Sequence, residues 1–403
     1  MRIAMIGQKG LPATFGGIEH HVEELGSRLA ARGHEVTVFC RPGYSSGADR
    51  HGGMRLRDVP TVRTKHLDAL VHSALSTLVS VLDPPDIIHY HALGPGLVSP
   101  LPRYLSRSKV VMTVHGLDHL RAKWGKGAQA VLRTAAWMSA RVPDATIGVS
   151  RTLVEHYRAR YRRPIAYIPN GVAVHGPRRP VEITRRFGLS EGSYLLFVGR
   201  LVPEKAVDLL IRAFRRIGDD LRLVIVGGSS FSDDYERSLR RLAAEDPRVI
   251  FTGYLFGSTL EELYSNAAAF VLPSLLEGLP LTLLEAAAYG TPVVVSNIAP
   301  HLQIVAEDAP GRRVFVAGDE ASLTEALLRT IRNHPLECEG ADSFSEHVVN
   351  TYRWDKVAIA TEALYRQLLD GRHLPASRCS TGAKGTQLRF GPLSGGGPSS
   401  TEA

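Results

Sequence analysis

Cysteine is scarce in this sequence. Its 403 residues include three cysteines, Cys40, Cys338 and Cys379, which lie far apart in the chain. None of them has the C-x-x-C or mixed Cys/His spacing of a zinc site, and three dispersed cysteines do not make a disulfide framework. We therefore expect a protein of a reducing compartment, and the cytoplasm fits this composition best.

Long apolar runs are also missing. The first apolar run, Ile3 to Ile6, breaks at Gly7 and is too short for the core of a signal peptide. No segment reaches the roughly 18 uncharged apolar residues that a membrane-spanning helix needs. Any contact with a membrane is therefore expected to be peripheral.

The overall composition is that of a soluble globular protein, with 44% hydrophobic and 22% charged residues. A chain of this length favours two domains of about 150 to 200 residues each over one large core. The net charge of +8 would attract nucleic acid, anionic lipid or phosphorylated ligands. Which of these it serves depends on where the charges lie.

Short apolar segments alternate with amphipathic ones, which predicts an α/β fold with parallel sheets covered on both faces. The strand candidates are RIAMIG, EVTVFC, DIIHYH, KVVMTVH, ATIGVS and PIAYIPN, and further on YLLFVGR, LRLVIVGG, VIFTGY, AFVLPS and TPVVVSN. They predict a doubly wound Rossmann-like domain over 1–172, a linker over 173–190 and a second such domain over 191–344. One or more C-terminal helices over 345–370 can return to the first domain. A Gly/Ser/Pro-rich tail over 371–403 is predicted to be disordered.

Two facing sheets of this kind predict a ligand cleft between the domains, because parallel α/β sheets bind ligands beyond the carboxyl ends of their strands. The strongest local pattern lies at such an end, in the segment 274–285, SLLEGLPLTLLE. Pro280 suits the first position of a helix, so Glu277 is predicted in the preceding loop and Glu285 within the helix. The N–H groups of Gly278, Leu279 and the first turn can bind phosphate oxygens. The two carboxylates can accept hydrogen bonds from sugar or ribose hydroxyls.

A second pattern, VGRLVPEK over 198–205, places cations near the same cleft. Gly199 and Arg200 end a predicted strand, and Lys205 is predicted to begin the next helix. Both cations can therefore point to where a diphosphate would lie. A nucleotide sugar is the ligand that suits cations and carboxylates together.

Residues 194–300 resemble the donor domain of the retaining glycosyltransferases of family four, which have the GT-B fold. The resemblance rests on Gly199-Arg200-x4-Lys205, on Glu277-x7-Glu285 with Gly-Leu-Pro between them, and on GTPVV at 290–294. The PNGV segment at 169–172 is similar to the family's motif at the end of the first domain. Ala173 departs from the pattern, because an acidic residue is common there.

The resemblance implies a role for each matching residue. Arg200 and Lys205 would neutralise the departing diphosphate, Glu277 would bind the hydroxyls of the donor sugar, and Glu285 those of the ribose. Gly253, in the segment Phe251-Thr252-Gly253, would lie beside the nucleobase. His115 matches the histidine that family members place beside the donor sugar. The implied activity is transfer of a hexose or deoxyhexose from a nucleotide-diphosphate sugar, the co-substrate.

The N-terminal half carries a further block, GQKGLPATFGGIE over 7–19, whose glycines do not fit the G-x-G-x-x-G pattern of a dinucleotide site. Gly16 and Gly17 precede the first helix, where bare backbone can approach a phosphate or sugar. Together with Lys9, His91 and Asp118, the block resembles bacterial rhamnosyltransferases of surface-polysaccharide assembly. This resemblance implies a saccharide acceptor or one carried on a polyprenyl diphosphate lipid.

No metal and no other cofactor is expected. The D-x-D motif that holds Mn²⁺ in the other nucleotide-sugar transferase fold is missing, which agrees with neutralisation by side chains.

A membrane contact is suggested by basic residues that interleave with Trp124, Val131, Leu132, Trp137 and Met138. These basic residues are Arg121, Lys123, Lys126, Arg133 and Arg141. Such a stretch suits peripheral contact with an anionic membrane, and equally a helix that packs on the core with one charged side.

Two alternatives come from other classes. A nucleotide-sugar epimerase could use the same two-domain scaffold, but no acid/base groups for a sugar ring are identifiable. A lipid- or nucleic-acid-binding module could use the net charge, but the arginines are scattered and no nucleic-acid-binding motif is present, so no nucleic acid is expected as a partner.

Overall fold

The computed structural model describes residues 1–14, 16–45, 47–62, 68–117, 126–173, 176–218, 220–229 and 233–371. Within this part the strands are β1 Arg2–Ile6, β2 Glu35–Cys40, β3 Arg50–His51, β4 Met54–Asp58, β5 Ile87–His91, β6 Lys109–Val114, β7 Ala145–Gly148, β8 Ala166–Tyr167, β9 Tyr194–Val198, β10 Arg222–Val226, β11 Val249–Gly253, β12 Ala269–Leu272, β13 Val293–Ser296 and β14 Arg312–Phe315.

The α-helices are α1 Gly17–Ala31, α2 Asp68–Leu82, α3 Pro100–Leu105, α4 Lys126–Ser139, α5 Arg151–Tyr161, α6 Glu182–Phe187, α7 Val207–Arg215, α8 Asp233–Ala243, α9 Gly257–Asn266, α10 Leu281–Ala288, α11 Ala299–Val305, α12 Glu320–Arg332, α13 His334–Thr351 and α14 Trp354–Leu369. Short 3₁₀ helices include Pro95–Val98 and Pro203–Lys205.

Two sheets organise the chain. The first has the order β3-β4-β2-β1-β5-β6-β7-β8, and the second has the order β11-β10-β9-β12-β13-β14. All neighbouring strands are parallel except the short β3, which runs antiparallel to β4. The second order is that of a doubly wound nucleotide-binding domain. The predicted fold class, two Rossmann-like α/β domains, is confirmed.

Each sheet has one point where the strand order reverses. In the first sheet this point lies between β1 and β5, and in the second it lies between β9 and β12. A crevice opens at such a point, because the connections from the two strands leave towards opposite faces of the sheet. The loops that follow β1 and β5 begin at Gly7 and Ala92, and those that follow β9 and β12 begin at Gly199 and Pro273. The predicted site motifs follow these four strands or lie close to them.

Three strands were missing from the prediction, namely β3, β4 and β14. In β4 exposed arginines alternate with buried apolar residues, and β14 begins with Arg312-Arg313. Arg313 is buried because its guanidinium pairs with Glu337, which is fully buried. A strand that contains a charged residue has low hydropathy, so it is not predicted as buried when the partner that neutralises the charge lies far away in the sequence.

The predicted linker over 173–190 is partly helical, which corrects that expectation. Helix α6 lies within it, and the N–H groups of Val181 and Ile183 donate to Glu262 Oε2 over 2.9 and 3.1 Å. Ile183 is fully buried. Six residues are too few to show helical periodicity, so only the contact with α9 reveals this helix.

The C-terminal helix α14 packs on α1 of the first domain. Trp354, Val357 and Tyr365 join the core formed by β1, β2 and α1. The chain passes from one domain to the other near Val172 and passes back near Tyr352. These two crossings lie side by side, because the Val172 N–H donates to Tyr352 O over 2.6 Å.

The predicted helical stretch over 345–370 is divided at the second crossing, between α13 and α14. The tail over 372–403 lies outside the described residues, and its predicted disorder stays a prediction.

Candidate active site between the two domains

The loop after β9 passes very close to the loop after β10. The N–H of Gly199 donates to Val226 O over 3.0 Å, and Gly227 has a φ of +133°. A Cβ on Gly227 would lie 1.9 Å from Gly199 O. Gly253, with a φ of +72°, ends β11 and accepts from the Gly227 N–H over 2.9 Å. These glycines let three strand ends come together behind the turn that carries Arg200 and Lys205.

Lys205 and Glu277 form a buried ion pair. Lys205 ends the 3₁₀ helix Pro203–Lys205, with α7 starting two residues later, so it does not begin the helix as predicted. Its ammonium contacts Glu277 Oε1, and the Ser274 hydroxyl donates to the same oxygen over 2.8 Å. Burial by itself raises the pKa of Glu277, but the charge and hydrogen bond of Lys205, with the Ser274 hydrogen bond, outweigh it and lower that pKa. Glu277 is therefore held as a carboxylate.

His301 is a site residue that the sequence did not indicate. It lies on α11, and its Nδ1 is 3.0 Å from the Ser296 carbonyl oxygen. Burial lowers the pKa of His301 to about 4, although Glu277 acts to raise it. A neutral imidazole thus lies next to the Lys205–Glu277 pair.

The Gly278-Leu279-Pro280 loop touches the first domain directly. A Cβ on Gly278 would lie 1.8 Å from His115 O, and Leu279 O accepts from Asn170 Nδ2 over 2.7 Å. Helix α10 begins at Leu281, so Pro280 occupies the N-cap and not the first helical position that was predicted. No side chain caps α10, so the N–H groups of its first turn can bind an anion.

Glu285 lies on α10, eight residues after Glu277. Its Oε2 accepts from the Tyr264 hydroxyl over 2.8 Å, and its Oε1 lies 3.5 Å from His20 Nε2 on α1. Burial and the neighbouring Glu285 raise the pKa of Tyr264, so the phenol remains a hydrogen-bond donor. Glu285 therefore reaches both domains.

The first domain contributes a cation opposite Arg200. The backbone N–H of Lys9 donates to Glu19 Oε1 over 2.9 Å, and its ammonium lies 5.3 Å from the centre of the Tyr44 ring. Burial lowers the pKa of Lys9, Glu19 raises it, and the charges of Arg41 and Arg200 lower it further. Lys9 and Arg200, from different domains, are thus close enough to repel each other.

Gly16 precedes α1 as predicted, whereas Gly17 is the first residue of that helix and faces the second domain. Gly16 is the N-cap of α1, and a Cβ there would lie 2.6 Å from Glu19 Oε2. A Cβ on Gly17 would lie 3.3 Å from Leu281 Cδ1, at the start of α10. The N-terminal block and the donor-type loop therefore form opposite walls of one cleft.

Three histidines line the floor of that cleft. His91 Nδ1 lies 3.3 Å from His115 Nε2, and His21 Nδ1 lies 3.0 Å from Asn170 Oδ1. Asn170 already donates its amide to Leu279 O, so His21 is the donor to its carbonyl oxygen. Burial lowers the pKa of His21 to about 4, and burial with the neighbouring histidines lowers that of His91 well below its usual value. Both rings are neutral at neutral pH.

These histidines are the residues that could hold a metal ion. One nitrogen from each of His21, His91 and His115 lies within 4.8 Å of the others, a set not repeated elsewhere in the described part of the chain. Imidazole nitrogens suit Zn²⁺ and similar ions. The expectation of no metal stays a prediction.

The structure brings together the predicted residues of both domains, with Asp118 as the exception in lying outside the described residues. Residues 121–125 of the basic, aromatic stretch lie outside them as well. His21, Asn170, Tyr264 and His301 were missed. Asn170 lies in the PNGV segment, and His21 adjoins the Gly16–Glu19 block, so their positions alone could have suggested them.

Among the described helices, none combines the length and apolar character that crossing a membrane requires.

Known protein families match most of the chain. Residues 15–175 match the family described as Glycosyltransferase Family 4, and residues 192–333 match that described as Glycosyl transferases group 1. The GDP-mannose-dependent alpha-mannosyltransferase of Mycolicibacterium smegmatis is 30% identical over 347 residues, covering 82% of this chain and 89% of that protein.

Solved structures share the whole two-domain arrangement. Sucrose-phosphate synthase from Thermosynechococcus elongatus has a TM-score of 0.80 at 23% identity, covering 92% of this chain and 99% of its own. An Anabaena protein solved in complex with UDP and glucose has a TM-score of 0.77 at 17% identity, covering 91% and 100%. At these identities the likeness establishes the GT-B fold.

The buried histidines predict a stability that falls in mild acid. Burial lowers the pKa of His21, His72 and His301 to about 4 and that of His89 to about 3. Below about pH 6.5 the unfolded chain binds protons at these residues and the folded chain does not. Each should therefore cost about 2 kcal/mol of unfolding free energy between pH 7 and pH 5. Thermal unfolding at both pH values measures this.

The matched control for this pH effect is His72→Leu, which removes one buried histidine away from the cleft. Its melting temperature should fall less between pH 7 and pH 5 than that of the wild type. Equal falls in both proteins would contradict the assignment of His72 as a neutral buried group.

Proposed function

The chain belongs to the family-four glycosyltransferases, and on that premise we propose that it transfers a hexose or deoxyhexose from a nucleotide-diphosphate sugar, with retention. The acceptor is a saccharide or a lipid-linked saccharide of cell-surface polysaccharide or glycoconjugate assembly in the cytoplasm. The observation that carries the proposal is the convergence of two cations, two carboxylates and an uncapped helix start in one cleft. The likeness to proteins named for GDP-mannose and solved with UDP and glucose supports this donor class.

Arg200, Lys205 and the start of α10 stabilise the leaving diphosphate. Negative charge grows on the phosphate oxygens as the bond to the sugar breaks, and donors already aimed at that point lower the barrier. Lys205 is held in place by Glu277, so its ammonium needs little reorganisation. Arg200 is electrostatically coupled to Lys9 across the cleft, so both cations can face one anion.

Glu277 and Glu285 recognise different parts of the donor. Glu277 lies in the loop before α10, beside Lys205 and Gly278, where the sugar hydroxyls would follow the diphosphate. Glu285 lies one helix further on and is oriented by Tyr264, which suits the two hydroxyls of a ribose. Gly253 lies on the nucleoside side of the same sheet.

The first domain supplies the acceptor side. The backbone of His115 contacts the donor loop at Gly278, which supports the proposal that its ring lies beside the donor sugar. His91 and His21 keep this floor neutral and compact. Lys9, Gly16 and Gly17 form the opposite wall, where the acceptor would enter. Asp118 is assigned here by sequence resemblance alone.

Turnover should not depend on a divalent cation at the diphosphate, because side chains supply the positive charge. We expect full activity in EDTA and no stimulation by added Mg²⁺ or Mn²⁺, measured as nucleotide diphosphate released. Loss of activity in EDTA that an added metal restores would contradict this expectation. If added metal restores activity to the wild type but not to a His91→Gln variant, the metal binds at the three histidines.

Removing either cation should slow turnover strongly. For Arg200→Ala and Lys205→Ala we expect about a hundredfold lower kcat, because each loses roughly 3 kcal/mol of transition-state stabilisation. Arg237→Ala, on the exposed face of α8, is the matched control and should be neutral. Near-normal turnover in both cleft variants would remove the proposed donor site.

Lys205→Ala also leaves the buried Glu277 without its counter-charge, which destabilises the fold by itself. The double variant Lys205→Met with Glu277→Gln removes both charges together. It should recover the melting temperature while turnover stays low. This variant separates loss of the fold from loss of catalysis.

The two glutamates should differ in how they affect the nucleotide alone. Glu285→Gln should weaken binding of the nucleoside diphosphate, because it loses charge-assisted bonds to ribose. Glu277→Gln should leave that affinity unchanged or raised, because Lys205 loses its counter-charge, while sugar transfer falls. Calorimetry with UDP, GDP and ADP measures both variants. Equal weakening in the two would show that the assigned roles are wrong.

A further inference from the structure

Helix α2 buries its polar side and exposes its apolar side, which is the opposite of an ordinary surface helix. Its buried residues are His72, Ser73, Ser76, Thr77 and Ser80, all of them polar. Its exposed face carries Leu75, Leu78 and Leu82, which are 37%, 53% and 78% exposed and lie at helical spacing. No charged residue stands between Asp68 and Asp83. A helix normally turns its apolar stripe to the core, so this arrangement indicates that something apolar covers the outside.

The polar side of α2 is genuinely packed against the first domain. The Thr77 hydroxyl lies 2.6 Å from the Tyr90 hydroxyl on β5, and the hydroxyls of Ser73 and Ser80 donate to the carbonyl oxygens of Ala69 and Ser76. These bonds satisfy the hydroxyls of Ser73, Thr77 and Ser80, whereas the buried Ser76 hydroxyl has no hydrogen-bond partner among the described residues. The bond between Thr77 and Tyr90 fixes the side of α2 that faces the sheet, and the leucines lie on the other side.

The apolar surface continues onto neighbouring helices. Helix α2 packs against α3 and the 3₁₀ helix Pro95–Val98, and the latter packs against α4. Half of the large apolar side chains that are exposed in the described part of the chain lie on these three α-helices. We call this set the outer apolar face: Leu75, Leu78, Leu82, Leu101, Tyr104, Leu105, Val131 and Trp137.

The charges around the outer apolar face are mainly positive. Arg103 lies on α3 and Arg107 follows it, and Arg133 and Arg141 flank Trp137, all four of them exposed. The guanidinium of Arg141 lies 5.2 Å from the centre of the Trp137 ring. The neighbouring acids are already paired, Asp83 with Arg2 and Asp144 with Arg103. Arg103 is thus offset by Asp144, which leaves Arg107, Arg133 and Arg141 as the exposed cations of this rim. Apolar residues, interfacial aromatics and these arginines together match the boundary of an anionic bilayer.

We propose that the outer apolar face rests on an anionic membrane leaflet, with the leucines of α2 among the acyl chains and the arginines at the lipid headgroups. A protein partner would also cover leucines, but the excess of arginines along the rim, where Asp83 and Asp144 are already paired, favours a surface that is negative throughout. The membrane contact would give the first domain access to a lipid-linked acceptor. Only this purpose rests on the proposed function.

The test is co-sedimentation of the full chain with vesicles. Vesicles of phosphatidylcholine mixed with phosphatidylglycerol should bind the protein, and pure phosphatidylcholine should bind it much less. Leu78→Ser with Leu82→Ser should weaken binding by roughly tenfold, because two exposed leucines can no longer be buried among the acyl chains. The matched control is Leu336→Ser with Ile359→Ser, which removes two apolar side chains that are 50% and 51% exposed on other helices and should bind like the wild type.

Two further measurements make the outcome decisive. Melting temperature and UDP, GDP or ADP binding should be unchanged in the α2 variant, so its defect is separate from the donor site. Absence of binding to both vesicle types would overturn the proposal, whether or not the glycosyltransferase activity is found. Light scattering that shows a dimer in the wild type and a monomer in the α2 variant would overturn it as well, because a second copy would then cover the face.

Discussion

The two domains approach each other at a point that has no room for a side chain. Gly278 lies so close to His115 that a Cβ would fall 1.8 Å from its carbonyl oxygen. Beside this contact Asn170 joins His21 of the first domain to Leu279 of the second. The backbones of the two domains are therefore in contact at the cleft. This contact brings one small ligand within reach of the donor loop, the three histidines and the start of α1. The arrangement of the whole site follows from that contact.

Charge is distributed unevenly over this cleft. Lys205 has Glu277 as its counter-ion, and at Lys9 the attraction of Glu19 raises the pKa while repulsion from Arg200 lowers it. A bound diphosphate would relieve that repulsion, which makes the anion a stabilising partner between the two domains. The Lys205–Glu277 pair can offer a donor to the phosphate and an acceptor to a hydroxyl at the same time. A nucleotide sugar presents both groups side by side.

The first domain has a second specialised surface, on the side formed by α2, α3 and α4. Polar groups that would usually face water are buried in α2, and the leucines that would usually be buried are exposed. The cost of exposing apolar surface to water falls when that surface meets lipid, so the orientation of α2 makes physical sense at a bilayer. In the proposals made above, the same domain forms both the acceptor wall and the contact with the leaflet.

The sequence alone determined the fold class and most of the donor motifs. Strand and helix patterns are local, and the glycine, cation and carboxylate residues stand at strand ends or just beyond them, so their meeting in a cleft followed from parallel topology. The tertiary structure decided which distant residues complete the site. His21 and Asn170 are 149 positions apart, and Tyr264 reaches Glu285 only because α9 packs beside α10. It also decided that Arg313 is buried in a strand and that α2 turns its leucines outward, because burial depends on neighbours that lie elsewhere in the chain.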